Sequence, residues 1–242
     1  MPRRVHVPIL REGRLALSAA TAHHLRDVLR MADGQTIDLF DDRGATARGV
    51  LHLHDDGLFV QVGPVTPPAA PLVQWTIASA VPKGQRFDWM VEKLSELGAT
   101  ALVPLRTERS VVHPQGAEKF RRWVRLASEA AQQCGRTTAM RIEPLTDLDT
   151  LLADRPAGQA AWYLSTDPAA RPIADAARHL SASSLLMLVG PEGDWSPAEV
   201  QRFEQAGLTG VSLGSTILRV ETAAVAAAVV ASVLLGHRAW RQ

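Results

Sequence analysis

The stretch LMLVGPEGDWSPAEV, Leu186 to Val200, joins four apolar residues to a Gly-Pro-Glu-Gly turn and then, at once, to a helix start. Ser196-Pro197-Ala198-Glu199 reads as a capping box with proline at the first helical position, so the helix boundary is well specified. Gly190 to Asp194 is therefore a tight loop between the carboxyl end of a strand and a helix N-terminus. In open α/β sheets, ligands sit at such loops. Taken alone, the stretch is equally a turn whose glycines supply backbone freedom.

A second stretch has the same design. SLGSTILRVETAA, Ser212 to Ala224, runs from a short strand through a glycine into an alanine-rich helix, with Arg219 and Glu221 expected in the loop just before that helix. Two glycine-bearing loops at strand ends can jointly cradle one ligand. Small residues behind them permit close backbone approach.

Around these loops the chain alternates strands and helices. WTIASAV, ALVPL, AAWYLS, SLLMLV and VSLG read as strands. FDWMVEKLSEL carries Phe87, Met90, Val91, Leu94 and Leu97 on one face, with Gly98 as a C-cap, and KFRRWVRLASEAAQQC reads as a long helix ended by Gly135. This is the grammar of an α/β domain with a mainly parallel sheet covered on both faces.

The first 66 or so residues differ. QTIDLFD, TARGVLHLHD and LFVQV are short alternating runs punctuated by DDRG and DDG, preceded by one helical segment, AHHLRDVLRM. A few strands of this size predict a small barrel or sandwich. VTPPAAPL, with Pro67, Pro68 and Pro71, reads as a linker. The expected division is 1–70 and 71–242.

Composition narrows the function classes. There are 26 basic and 25 acidic side chains, so no whole-molecule basic field exists and any case for nucleic-acid binding must rest on local clusters. The single cysteine, Cys134, excludes an intramolecular disulfide framework and fits a reducing compartment. Arginines stand where a signal peptide needs an apolar run. The longest uncharged apolar run, Thr222 to Gly236, is 15 residues, short of the roughly 20 that a membrane helix needs. A cytoplasmic protein is expected.

Common catalytic signatures are absent. There is no GxxxxGK[ST], no GxGxxG after a strand, no HExxH and no GxSxG. ELGATA ends a helix and is read as its cap. His52 with His54 and His23 with His24 lack a third ligand at suitable spacing, so no metal site is expected. Cys134 is read as a packing residue.

The ordered set KGQR, EKLSELG, ERS, EAAQQCGR, VGPEG and LGSTILRVETAA resembles the bacterial ribosomal RNA uridine-N3 methyltransferases of the SPOUT superfamily. RRVHV and HLRDVLRM extend the match toward the N-terminus. Two departures stand out. Asp194 replaces the last glycine of the family's GPEGG, and Ser215 and Thr216 replace the proline and arginine of its LGPRxLR.

The resemblance implies an N-terminal PUA-like β-barrel that binds RNA, a trefoil-knotted α/β methyltransferase domain and a homodimer. No pattern argument leads to the knot, because threaded chains are rare exceptions to the usual connection rules. It implies S-adenosylmethionine as cofactor, held by Leu164, Ser165, Thr166, Gly190, Pro191, Glu192, Gly193, Leu213, Gly214, Leu218 and Thr222. It implies small-subunit ribosomal RNA, free or assembled, as substrate.

Uracil N3 carries a hydrogen at neutral pH, and its loss creates an anion spread over the flanking carbonyl oxygens. A pre-placed cation stabilises that charge, and Arg219 is the candidate. Guanidinium is not a base in proteins, so Glu221 or Glu192 is left to accept the proton, unless each serves only as a structural acceptor. RNA contacts are expected at Arg3, Arg4, Arg30, Lys83, Arg86, Arg109 and Arg136, while Lys119, Arg121, Arg122 and Arg125 read as a solvated helix face. The rival readings are a SPOUT enzyme acting on a ribose hydroxyl, disfavoured by the missing NxGxxxR motif, and a non-catalytic RNA-binding assembly factor, disfavoured by retention of both loops.

Overall fold

The computed structural model describes residues 3–54, 57–67, 74–114, 116–136 and 138–239. Most of the expected linker, 68–73, lies outside the described residues. The chain groups into two compact units, Met1–Ala70 with Ser128–Ala139, and Pro71–Ala127 with Met140–Gln242.

The first unit contains β1 (Arg3–Val7), β2 (Gly13–Ala16), α1 (Ala19–His23), β3 (Thr36–Asp41), β4 (Thr46–His54) and β5 (Gly57–Val62). They form a five-stranded sheet in the order β1-β3-β4-β5-β2, with β1 parallel to β3 and the other pairs antiparallel. Alternation places Leu58, Val60 and Val62 in a core with Val5, Ile37, Leu39 and Leu51, which Leu25 joins from the helical segment. That segment starts earlier than its hydrophobic pattern predicts, because Ser18 caps it by accepting from the Thr21 N–H at 3.2 Å. It continues past His23 as a wider π-type turn to Val28. Strands β1 and β2 escape the pattern reading, being short and studded with arginines. The DDRG turn is pinned by buried Asp41, whose carboxylate accepts from the N–H groups of Leu10, Arg43 and Ala45.

From residue 74 on the chain alternates strands and helices, all in the second unit except the part of α3 from Ser128: β6 (Gln74–Ala80), α2 (Arg86–Leu97), β7 (Ala101–Arg106), α3 (Ala117–Cys134), β8 (Arg141–Ile142), β9 (Thr146–Asp147), α4 (Leu148–Ala153), β10 (Ala160–Leu164), β11 (Arg171–Pro172), α5 (Ile173–Arg178), β12 (Ser184–Val189), α6 (Pro197–Gln205), β13 (Thr209–Ser212) and α7 (Val220–Ala239). The strand order is β11-β13-β10-β12-β6-β7-β8, with β9 also pairing β7, and every pair is parallel. Helices cover both faces, which is why the strands read as continuous apolar runs. On one face Ile77, Leu102, Trp162, Met187 and Val211 pack with residues of α2, α5 and α7. On the other, Ala78, Val103, Tyr163, Leu186 and Leu188 pack with Leu148 of α4 and Phe203 of α6.

Helix ends follow the chemistry read from the sequence. Gly98 takes φ 102 after α2, and its N–H returns to Leu94 and Ser95 carbonyls. Ser196, Pro197 and Glu199 form the complete capping box of α6. Among the described residues, no helix is long and apolar enough to cross a membrane.

Candidate active site

Strand order determines where the site lies. β10 is flanked by β12 and β13, and the parallel register sets Tyr163 opposite Leu188 and Leu164 opposite Val211. The carboxyl ends of these three strands are therefore level. The chain leaving each opens onto one cavity of about 540 Å³. Its walls are Leu164 to Thr166 after β10, Gly190 to Asp194 after β12, and Leu213 to Val220 between β13 and α7.

All of the expected cofactor positions except Thr222 line this cavity, as does Arg219. Thr222 is exposed on the first turn of α7. Asp194, Ser215, Thr216, Ile217 and Val220 also line it, and pattern reading assigned none of them to the cofactor. The departures from the family motif were the available signal for Asp194, Ser215 and Thr216.

The Gly190–Asp194 loop is built by Trp195. Its indole N–H donates to the Leu164 carbonyl at 2.8 Å, tying the β12 loop to the end of β10. A Cβ on Gly190 would stand 3.0 Å from the Trp195 ring, so only glycine leaves that ring in place. Beneath, the Trp195 and Phe203 rings meet edge to face at 4.8 Å. Gly214 differs: a Cβ there meets nothing within 4 Å. Its lack of a side chain keeps space open.

Asp194 adopts φ 59, the left-handed region. Its amide closes the turn onto the Pro191 carbonyl at 3.0 Å. One carboxylate oxygen accepts from the Trp195 N–H at 2.8 Å, and the other accepts from the Thr166 hydroxyl. The substituted position thus keeps a glycine-like backbone and adds a link between two cavity loops.

Arg109, expected at RNA, holds the same loop. Its Nη1 donates to the Gly193 carbonyl at 2.8 Å and to the Trp195 carbonyl at 3.3 Å. The neighbouring Glu108 accepts from the Ser196 hydroxyl at 2.5 Å and donates its N–H to Glu199 Oε1 at 2.8 Å. Glu199, 2% exposed, also accepts from the Ser196 N–H through Oε2 at 2.8 Å. The ERS motif and the capping box therefore form one hydrogen-bonded block behind the site. Their separation along the chain hid this from pattern reading.

The charged candidates split. Arg219 is exposed at the cavity wall, and its guanidinium has no hydrogen bond or ion pair among the described residues. Glu221 is 7% exposed and does not line the cavity. Its Oε2 has no hydrogen-bond partner and lies 3.8 Å from Arg86 Nη1. The same Nη1 lies 4.0 Å from Glu192 Oε1, and Arg86 Nε donates to the Lys83 carbonyl at 3.1 Å. Arg86 thus sits between a buried carboxylate and one in the cavity wall.

Of the other RNA candidates, Lys83 is exposed in the second unit, and Arg30 is exposed at φ 49 in the first. Arg4 and Arg136 are partly buried, and burial lowers the Arg136 guanidinium from its ordinary value. The side chain of Arg3 lies outside the described residues. Among the described residues, no group of three His, Cys, Asp or Glu side chains is placed to hold a metal ion.

Comparison with known proteins places this geometry. Residues 68–232 match the family model for an RNA methyltransferase domain, and residues 17–62 match that for an RNA methyltransferase PUA domain. The chain is 31% identical over 229 residues to ribosomal RNA small subunit methyltransferase E of Bacillus subtilis, covering 86% of this chain and 85% of that protein. The solved structure of ribosomal RNA small subunit methyltransferase E from Neisseria gonorrhoeae, bound to S-adenosyl methionine, superimposes with a TM-score of 0.84 at 26% identity. That match covers 97% of this chain and 98% of the other. A probable rRNA-methyltransferase from Porphyromonas gingivalis gives a TM-score of 0.84 at 30% identity, covering 98% of this chain and 100% of that one.

Proposed function

Because this chain belongs to the RNA methyltransferase family and also matches its PUA domain, we propose that it methylates N3 of a uridine in small-subunit ribosomal RNA, with S-adenosylmethionine as methyl donor. The observation that carries the reading is the convergence of three strand-end loops on one cavity, with the unpartnered guanidinium of Arg219 in its wall. The relatives and structural neighbours support the RNA substrate class and the donor.

The residues present fit that donor. A cavity of 540 Å³ falls within the roughly 300–1,000 Å³ range of small-molecule and cofactor sites. Gly214 leaves open space where a side chain would intrude. Glu192 and Asp194 offer carboxylates to a ligand that carries positive charge. When bound, S-adenosylmethionine supplies an electrophilic methyl group on a cationic sulfur.

The chain's own residues supply the rest. Arg219 faces the cavity with its donors free and stabilises the charge that develops on the uracil oxygens as N3 loses its proton. Glu192, exposed in the wall, is the acceptor for that proton. Glu221 acts through Arg86, because its own Oε2 is sealed from the cavity side by burial and reaches the wall only via the guanidinium. Lys83, Arg30 and Arg4 supply RNA contacts, in the cytoplasm where small-subunit RNA is found.

We further propose a homodimer through α7. Val229 and Val233 are about half exposed and four residues apart, so they share one face of α7. Light scattering reads this directly: a monomeric mass at micromolar concentration would sink it.

The primary test is mass-spectrometric mapping of small-subunit RNA from cells lacking the protein. Loss of one N3-methyluridine, restored by the wild-type chain and not by Arg219→Ala, is expected. A methylated ribose lost instead favours a 2′-O enzyme, and an unchanged nucleoside profile favours the assembly factor.

A further inference from the structure

Asp194 stands where the resembled family carries a glycine, and it adds a carboxylate to the cavity lining. Its φ of 59 is a left-handed conformation that glycine adopts freely and that aspartate tolerates through a local hydrogen bond, here from the Trp195 N–H.

The carboxylate is held in place from two sides. The Trp195 N–H reaches one oxygen at 2.8 Å, and the Thr166 hydroxyl reaches the other from the next strand's loop. Trp195 is itself anchored by the Leu164 carbonyl at 2.8 Å. The negative charge is thus fixed with respect to both loops. It shares the lining with Glu192 and with one guanidinium, Arg219. Glu192 is faced by Arg86 at 4.0 Å, which leaves Asp194, with no basic partner among the described residues, as the fixed negative charge of the lining.

On the cofactor reading given above, this has a consequence for donor and product. S-adenosylmethionine carries a sulfonium charge that S-adenosylhomocysteine lacks. When the methyl carbon moves to N3, the electron pair of the broken S–CH₃ bond stays on sulfur and the positive charge is lost. We propose that Asp194 is a specificity-determining residue that favours the sulfonium donor over the thioether product. Its fixed carboxylate attracts the former and is indifferent to the latter, so turnover itself weakens the hold on the spent cofactor.

Three substitutions separate charge from geometry. Asp194→Asn keeps an acceptor for Thr166 and a residue type that tolerates the left-handed region, and removes the charge. Asp194→Gly removes both charge and link while relieving the backbone, so it folds. Thr166→Val removes the link and keeps the charge. Titration calorimetry with S-adenosylmethionine and with S-adenosylhomocysteine reads the ratio of the two affinities. Two charges about 12 Å apart at an effective dielectric near 20 change that ratio about tenfold, and closer ones change it more.

The ratio should therefore fall about tenfold in Asp194→Asn and Asp194→Gly. In Thr166→Val it should stay near wild type, even as both affinities drop. Equal weakening of both ligands in Asp194→Asn, or no change in either, overturns the inference and leaves the methyltransferase reading intact. Failure of the wild-type protein to bind either nucleoside overturns the cofactor reading on which the inference rests.

Discussion

Glu221 Oε2 lies 3.8 Å from Arg86 Nη1, buried and without a hydrogen bond. A buried carboxylate facing a partly exposed guanidinium leaves an uncompensated charge if its partner is removed. Arg86→Ala should therefore destabilise the protein by about 1–3 kcal/mol in urea unfolding. Glu221→Gln in the same background should recover part of the loss. A double-mutant coupling energy near zero would show that the two side chains do not act as a pair.

Arg109 spends its guanidinium on the Gly193 and Trp195 carbonyls. Arg109→Ala should weaken S-adenosylmethionine binding by loosening that loop, by roughly 1.5–3 kcal/mol if both charge-assisted bonds are lost. The slope of RNA affinity against salt should not change, because the side chain is engaged with the loop rather than with phosphate. A reduced slope with unaltered cofactor affinity would return Arg109 to the RNA-binding set.

The two cavity glycines make opposite predictions. Gly190→Ala drives a Cβ to 3.0 Å from the Trp195 ring and should cost about 1–3 kcal/mol of stability, as overpacking does. Gly214→Ala meets nothing in the protein. It should leave the melting temperature unchanged while raising the Kd for S-adenosylmethionine. A destabilised Gly214→Ala, or a stable Gly190→Ala that binds normally, would reverse these roles.

Asp147 caps α4 by accepting from the Thr150 N–H at 2.9 Å. This bond, and then the Thr150 hydroxyl, lowers the carboxyl pKa from its ordinary value. A lowered folded-state pKa gives stability that is present above the unfolded pKa and lost as pH falls through the folded one. Asp147→Ala should therefore narrow the stability difference from wild type as the pH is taken below the ordinary carboxylate range. A difference that is constant with pH would show that the cap does not act through its charge.

Local chemistry was legible wherever neighbours along the chain decide the outcome. The capping box of α6, the Gly98 cap of α2 and the long apolar strands of the second unit depend on residues within a few positions of one another. They appear where the sequence puts them. Strands β8, β9 and β11 are only two residues long, too short for any alternation to register. The motif resemblance supplied what periodicity does not contain, namely which loops form the cofactor cavity.

The sequence by itself determined the two regions of different grammar, the glycine loops at strand ends and the family to which the chain belongs. The tertiary structure alone decided what faces what. Setting β10 between β12 and β13 makes one cavity from segments far apart in the chain. It turns Arg109 inward to two carbonyls, buries Glu221 behind Arg86 and closes Thr166 onto Asp194. These contacts join residues separated by dozens of positions. No local pattern encodes them, because they exist only once strand order and register have brought the loops together.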